Sequence, residues 1–313
     1  MCCGGQHKLV VFRETGTGLL SLRAHPGTRG RHRADCPAVG DPSPSAEASC
    51  SAPRFEELAN QALDLAYLRW WQSGEENTSV EPTLVSEFGR LRPEGSAFRV
   101  AVVDRDTTPT MRQHYFEFPV IEYPEESFKY WRSWAYGNRV SGRYEILGRP
   151  IRSDYLALAE LDTEESVESR FIAQVHCWPL VRTRQGSHVV QSAAEADYAA
   201  ILSEKTARFL KPPSTRFLRL LAEANTELSE LAHLCAENHI WPDYILPGGE
   251  VGHVIELLGL TDLDYIRRAL EKFELYRRLE RECGLHWHAV APAPNGGFQS
   301  IAGSDDHFAS ILP

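Results

Sequence analysis

FIAQVHCWPLV, residues 171–181, is the stretch that decides the fold class. Ala173, Val175 and Cys177 recur at every second position, the period of a strand whose side chains alternate between two faces. Two earlier runs carry the same signature. FRVAVV (98–103) is continuously apolar, and YFEFPVIEY (115–123) places Phe116, Phe118 and Val120 on one side. Pro119 and Pro179 fall inside two of these runs. A proline cannot donate to a ladder, so those two are expected to be edge or bulged strands.

Outside this region the apolar period lengthens to that of a helix. After Pro53, residues Phe55, Leu58, Ala59, Ala62, Leu63, Ala66 and Trp70 mark one amphipathic helix. Ser192 followed by Glu195 fits a capping box, which heads a helix expected to carry Tyr198, Ile201, Leu202 and Phe209 until Pro212 and Pro213 end it. A single helix is expected from Thr215 to about Asn238, with Phe217, Leu221, Leu228 and Leu231 on its buried side. A short helix is expected over 250–258. A long one follows from Thr261, with Leu263, Ile266, Leu270, Phe273, Tyr276 and Leu279 as its buried stripe and Gly284 as its stop.

The expected class is α+β: a disordered N-terminal tail, a mixed or antiparallel sheet region, and a mainly helical C-terminal half. The division into parts follows composition. Residues 1–52 are rich in Gly, Pro, Ser and Arg and read as a disordered extension. Residues 53–190 read as an α+β domain, 191–284 as a helical region packed on it, and 285–313 as a C-terminal segment.

Composition bounds the function classes. Of 313 residues, 42% are hydrophobic and 24% charged, the proportions of a chain that can bury a core. The net charge of −10 argues against a surface built to neutralise phosphates. No apolar run reaches the roughly 18 residues that span a bilayer. Seven cysteines show no C-x-x-C spacing, so reduced thiols and a cytoplasmic location are expected. There is no Walker motif, no G-x-G-x-x-G and no G-x-S-x-G.

The most suggestive chemistry stands at the end of the chain. If 285–290 is extended, His286 and His288 in LHWHAV share one face and Trp287 takes the other. Asp305 and His307 follow about 20 residues later in GSDDHF, and the four residues together make an expected site for zinc or a similar divalent ion. GSDDH is also similar to the closing metal-ligand motif of the polymerase-and-histidinol-phosphatase metal-dependent hydrolases. Those enzymes place a His-x-His near the start of their barrel, whereas the one in this chain is His286 to His288, so their activity is not carried over.

Other groups are less complete. FKYWRSWAYGNR, 128–139, interleaves aromatic and basic side chains as a nucleic-acid contact would, although a partly buried cluster with snorkelling cations explains it better. His176 and Cys177 are adjacent on a strand and face opposite ways. His233 and His239 are six apart and share no helix face. LPGGEVGH could cradle an anion or simply turn the chain.

Two functions follow from these readings. The preferred one is a soluble binding or regulatory protein that offers its C-terminal helices to a protein partner. The alternative is a metal-dependent hydrolase using His286, His288, Asp305 and His307, with a small-molecule substrate. Nucleic acid ranks behind both as a partner, and no membrane contact is expected.

Overall fold

The structure, a computed structural model, describes residues 9–13, 20–24, 55–74, 79–92, 98–104, 110–111, 115–123, 127–134, 139–142, 154–165, 169–206, 208–248, 251–258, 263–294 and 297–304. In chain order the elements are β1 (Leu9–Arg13), β2 (Leu20–Ala24), α1 (Phe55–Ser73), α2 (Glu81–Leu91), β3 (Phe98–Val103), β4 (Thr110–Met111), β5 (Tyr115–Tyr123), β6 (Ser127–Trp134) and β7 (Arg139–Gly142). Then come β8 (Asp154–Glu165), β9 (Ser169–Thr183), β10 (Gly186–Val189), α3 (Ala193–Lys205), α4 (Thr215–Glu223) and α5 (Ser229–Glu237). β11 (Tyr244–Leu246), β12 (His253–Leu257), α6 (Leu263–Cys283), β13 (His286–Pro292) and β14 (Phe298–Gly303) complete the chain. The class is α+β, as the sequence implies. The helices are not gathered in the C-terminal half, however: α1 and α2 precede the large sheet, and four strands lie beyond residue 243. Within the N-terminal extension, β1 and β2 form an antiparallel pair.

The large sheet closes on itself. β8, β3, β5 and β6 lie side by side and antiparallel, the fourth strand returning beside the first as in a Greek key. β9 pairs with β6 in parallel and with β8 antiparallel, which joins the two ends into a ring of five strands. Alternation then sorts side chains into an inside and an outside. Ala101, Val103, Phe118, Val120, Trp131, Ala157, Val175 and Cys177 pack together within the ring. Their sequence neighbours Val100, Val102, Leu156, Leu158 and Trp178 point outward into the main core with α1 and α2. Each such burial of a Val or Leu contributes roughly 1.5–3 kcal/mol.

Pro119 and Pro179 do not mark edge strands, because β5 and β9 are both paired along two sides. Each proline sits in a seam. Along one side of β9, β7 pairs with Gln174 to Cys177 and β10 with Leu180 to Thr183, so Pro179 falls between them. Along one side of β5, β4 pairs with Phe116 and Glu117 and β3 begins at Ile121, which leaves Pro119 in the gap. A missing N–H costs no ladder bond at such a place.

Three expected helices are corrected. The one headed by Ser192 ends at Lys205, where Thr206 turns to extended backbone, so Phe209 lies beyond it and the prolines do not stop it. Residues 250–258 are not helical: β11 and β12 form an antiparallel hairpin around the Gly-rich turn. A short apolar run is ambiguous between helix and buried strand. Here burial on both faces decides, with Val254 in the main core and Ile255 and Leu257 in a cluster beneath α3. The helix expected from Thr215 to Asn238 is two helices, α4 and α5. Asn225 takes a φ of 53°, which stops the first, and the Ser229 hydroxyl accepts from the Thr226 N–H at 2.7 Å to start the second.

The smaller sheet runs β11-β12-β13-β14. β12 and β13 are parallel, and α6 is the crossover helix that parallel pairing requires. Phe273, Tyr276 and Leu279 of α6 meet Trp287 of β13 in the main core, which reaches back to Ala59 of α1. Ile266 and Leu270, expected in the same buried stripe, are exposed instead. On the other face Tyr198 and Leu202 of α3 cover Tyr244, Ile255 and Val290. No helix among the described residues is long and apolar enough to cross a membrane.

Candidate functional site

A cleft of about 540 Å³ opens at the carboxyl end of β12. Glu195, Trp241, Asp243, Glu256, Tyr265 and Lys272 are among its walls. They come from four separate places in the chain: α3, the segment before β11, β12 and α6. Glu195 lies in the first turn of α3, where the capping box fixes it: its N–H donates to Ser192 Oγ at 3.2 Å and its carboxylate accepts the Gln191 N–H at 2.7 Å. Asp243 precedes β11 and accepts the Leu257 N–H at 2.7 Å, which ties the end of β12 to the start of β11. Tyr265 of α6 donates its hydroxyl to Leu257 O at 3.1 Å.

Lys211 completes this polar cluster from behind. Its side chain is almost wholly buried, with Nζ at 3.1 Å from Glu195 and 3.7 Å from Asp243. The ammonium also stands 5.7 Å from the centre of the Tyr244 ring. A buried cation needs such partners, since desolvating it alone costs several kcal/mol.

Glu256 is the chemically distinctive wall. It alternates with Ile255 and Leu257, so its side chain turns toward α6, where Tyr276 donates its hydroxyl to the carboxylate and the Lys272 ammonium approaches to 2.6 Å. Only 6% of the residue is exposed. Burial pushes its carboxyl up to about 7, against the downward pull of Lys272. The Lys272 ammonium is held in place by a second bond, to Trp241 O at 2.9 Å. A carboxyl group that exchanges its proton near neutrality, fixed by two donors at the wall of a cleft, is equipped for general acid and base work.

At the opposite end of β12 stand the histidines that the sequence singled out. His286 and His288 share one face of β13 and Trp287 takes the other, as the period of two requires. Parallel pairing sets His253 of β12 directly beside His286, with ring centroids 5.0 Å apart. His288 is buried, and its Nδ1 presses against β14, where a Cβ on Gly303 would come within 2.5 Å. Burial, with a smaller contribution from the neighbouring His286, lowers the imidazoles of His253 and His288 to about 4 each. Asp305 and His307 lie outside the described residues. Among the described residues, no group of three or more His, Cys, Asp or Glu side chains is placed to hold a metal ion.

The remaining sequence candidates are placed singly. Cys177 points into the ring and His176 outward against Trp178, and burial drives His176 down to about 3. His233 pairs with Glu237 at 3.1 Å, and His239, with a φ of 55°, follows the end of α5. In the 128–139 segment Trp131 lies inside the ring and donates to Glu122 at 3.0 Å. Lys129 and Arg132 are each ion-paired, to Glu122 at 3.5 Å and to Glu117 at 3.1 Å, and residues 135–138 lie outside the described residues. Trp70 and Trp71 are core residues, Trp71 lying under the Arg208 guanidinium. The turn in LPGGEVGH serves the hairpin: a Cβ on Gly252 would meet Leu231 at 2.8 Å.

Sequence reasoning missed Lys211, Asp243, Glu256 and Lys272, and read Glu195 only as a cap. One signal was available. Glu256 interrupts the apolar run VIEL, and a carboxylate inside a buried strand asks for a partner. Comparison with known proteins adds nothing to these assignments: no family model matches the chain, and no significant match is found among curated proteins or solved structures.

Proposed function

We propose that this protein is an enzyme that binds a small polar molecule in the cleft at the carboxyl end of β12 and passes a proton to or from it through Glu256. One observation carries the reading: a buried carboxyl, poised near neutrality and fixed by Tyr276 and Lys272, forms part of the wall of a cleft large enough for a metabolite. Lys272 and Arg268 line the same hollow and offer positive charge to an anionic group. Crevices outside the carboxyl ends of parallel strands are favoured places for ligands in open α/β sheets, and β12 ends here.

The test is an NMR screen of small carboxylates, amines and carbonyl compounds in deuterated water, with both protein and ligand signals observed. A compound that shifts the Trp241 and Tyr265 resonances and exchanges a carbon-bound proton for deuterium with the wild type, but binds without exchange to E256Q, supports the reading. A screen in which those two resonances never move, or in which exchange persists in E256Q, overturns it.

A protein-binding role retains one specific observation. Ile266 and Leu270, one turn apart on α6, are 41% and 57% exposed. Under this second reading, a partner identified by crosslinking to α6 loses its affinity when both residues become Asp while the fold persists.

A further inference from the structure

We infer that the cleft takes a small keto acid, and that Lys272 binds its ketone oxygen while Glu256 removes a hydrogen from the neighbouring carbon. The inference rests on the role of Glu256 proposed above and adds to it a substrate class and a second catalytic residue. Its first support is the way the two side chains share their bonds. Tyr276 donates to Glu256 Oε1, and the Lys272 ammonium approaches the same oxygen at 2.6 Å, which leaves Oε2 for a molecule in the cleft. An ammonium carries three N–H donors. Lys272 directs one to Glu256 and one to Trp241 O at 2.9 Å, so the third has no partner among the described residues. Both side chains line the cleft, and 28% of the lysine side chain is exposed. A proton acceptor and a cationic donor therefore stand side by side on one wall.

The second support is chemical need. A proton on carbon leaves only where the electron pair it leaves behind can move to an electronegative atom. A cation fixed beside the base, aimed at the oxygen on which that charge develops, stabilises the transition state more than the ground state. In the step, the C–H bond breaks and its proton passes to Glu256 Oε2. The electron pair forms a carbon–carbon double bond as the carbonyl pair moves onto oxygen, and the enolate oxygen accepts from Lys272. Return of the proton to carbon closes the cycle with no oxidant or reductant.

The third support is the rest of the lining. Arg268 lies one turn before Lys272 on α6 and lines the same hollow. Its guanidinium presents five donors in a planar fork, the shape that matches a carboxylate. The two other acidic walls do not oppose an anion, because each is already answered. Glu195 has Lys211 and the Gln191 N–H, and Asp243 has Lys211 and the Leu257 N–H. Leu257, Leu258 and Phe273 supply apolar surface for a short carbon chain.

The experiment incubates the full-length chain in deuterated water with 2-oxobutanoate, 3-oxobutanoate and 4-oxopentanoate, and follows loss of their C–H signals by NMR. The controls are 2-hydroxybutanoate and 2-aminobutanoate, which keep the carboxylate and the C–H but lack the ketone. Exchange above the uncatalysed rate should be confined to the oxo acids, and K272M should slow it about 100- to 1000-fold. Lys272 also pulls the Glu256 carboxyl down, so the variant is compared with the wild type at a pH well above neutrality, where that carboxyl is ionised in both. A loss that persists there assigns Lys272 to the enolate oxygen. Recovery to the wild-type rate overturns its part, since Lys272 would then only tune Glu256. K272Q is carried in parallel, with melting curves to establish that both variants keep the fold. Exchange in the controls and not in the oxo acids overturns the substrate class while leaving proton transfer by Glu256 standing. Exchange in none of the compounds removes both.

Discussion

The Lys211 ammonium lies 3.1 Å from the Glu195 carboxylate, and only 3% of the lysine side chain is exposed. Removing one member of such a pair leaves the other charged and dry, which costs about 3–5 kcal/mol. K211M should therefore lower stability by about that amount in denaturant melts. A melt within about 1 kcal/mol of the wild type would show that water reaches Glu195 freely.

Asp64 offers a pH-dependent counterpart. It is buried in α1 and accepts a hydrogen bond from Ser214 Oγ at 2.7 Å, and burial raises its carboxyl from 3.8 to about 6. A raised carboxyl holds its proton more tightly in the folded state, so its contribution is most favourable below about pH 4 and is lost as pH rises through about 6. D64N keeps the acceptor for Ser214 without the charge. It should exceed the wild type in stability at pH 8, by an amount on the order of 2–3 kcal/mol, and the advantage should vanish by about pH 4. Parallel curves for the two proteins across that range would contradict this.

Gly252 precedes β12 with a φ of 126°, and a Cβ there would sit 2.8 Å from Leu231 Cδ2 and 3.2 Å from Leu246 O. Strain and overlap act together, so G252A should cost about 1–3 kcal/mol in thermal or denaturant unfolding. Unchanged stability would mean that the β11–β12 turn relaxes easily.

Glu256 should set a pH dependence in whatever binds the cleft. Its carboxyl, pushed up to about 7 by burial, changes charge across neutrality, so ligand affinity followed by Trp241 fluorescence should show an inflection there. E256Q should remove the inflection and leave the remaining profile flat. An identical inflection in the variant would assign the titration to another group.

Helices over 55–73, 193–205 and 263–283 were legible because each start is decided within a few turns, but the second ends at Lys205 short of Pro212 and the third exposes Ile266 and Leu270. The Ser192 and Glu195 capping box forms as the spacing dictates, and Tyr276 and Leu279 lie on the buried side of α6. The break at Asn225 was not legible, since the apolar period continues through it while the backbone turns aside. The strand at 253–257 was misread for a related reason: periodicity reports one buried face, and this segment has two. Of the histidine cluster, the shared face of His286 and His288 could be foreseen, but His253 could not. Nothing at position 253 announces that a parallel crossover through α6 will bring it beside His286.

The sequence alone determined the periods, the caps, the charge balance and hence the α+β class, all of which depend on residues within about a dozen positions of one another. The tertiary structure decided that five strands close into a ring, that Pro119 and Pro179 fall in seams between partner strands, and that Glu195, Lys211, Asp243, Glu256 and Lys272 share one polar cluster. The physical reason is burial. Which charges lose their water, and which opposite charges replace it, depends on contacts between residues as far apart in the chain as Lys211 and Asp243, and these exist only once the two sheets and their helices have packed.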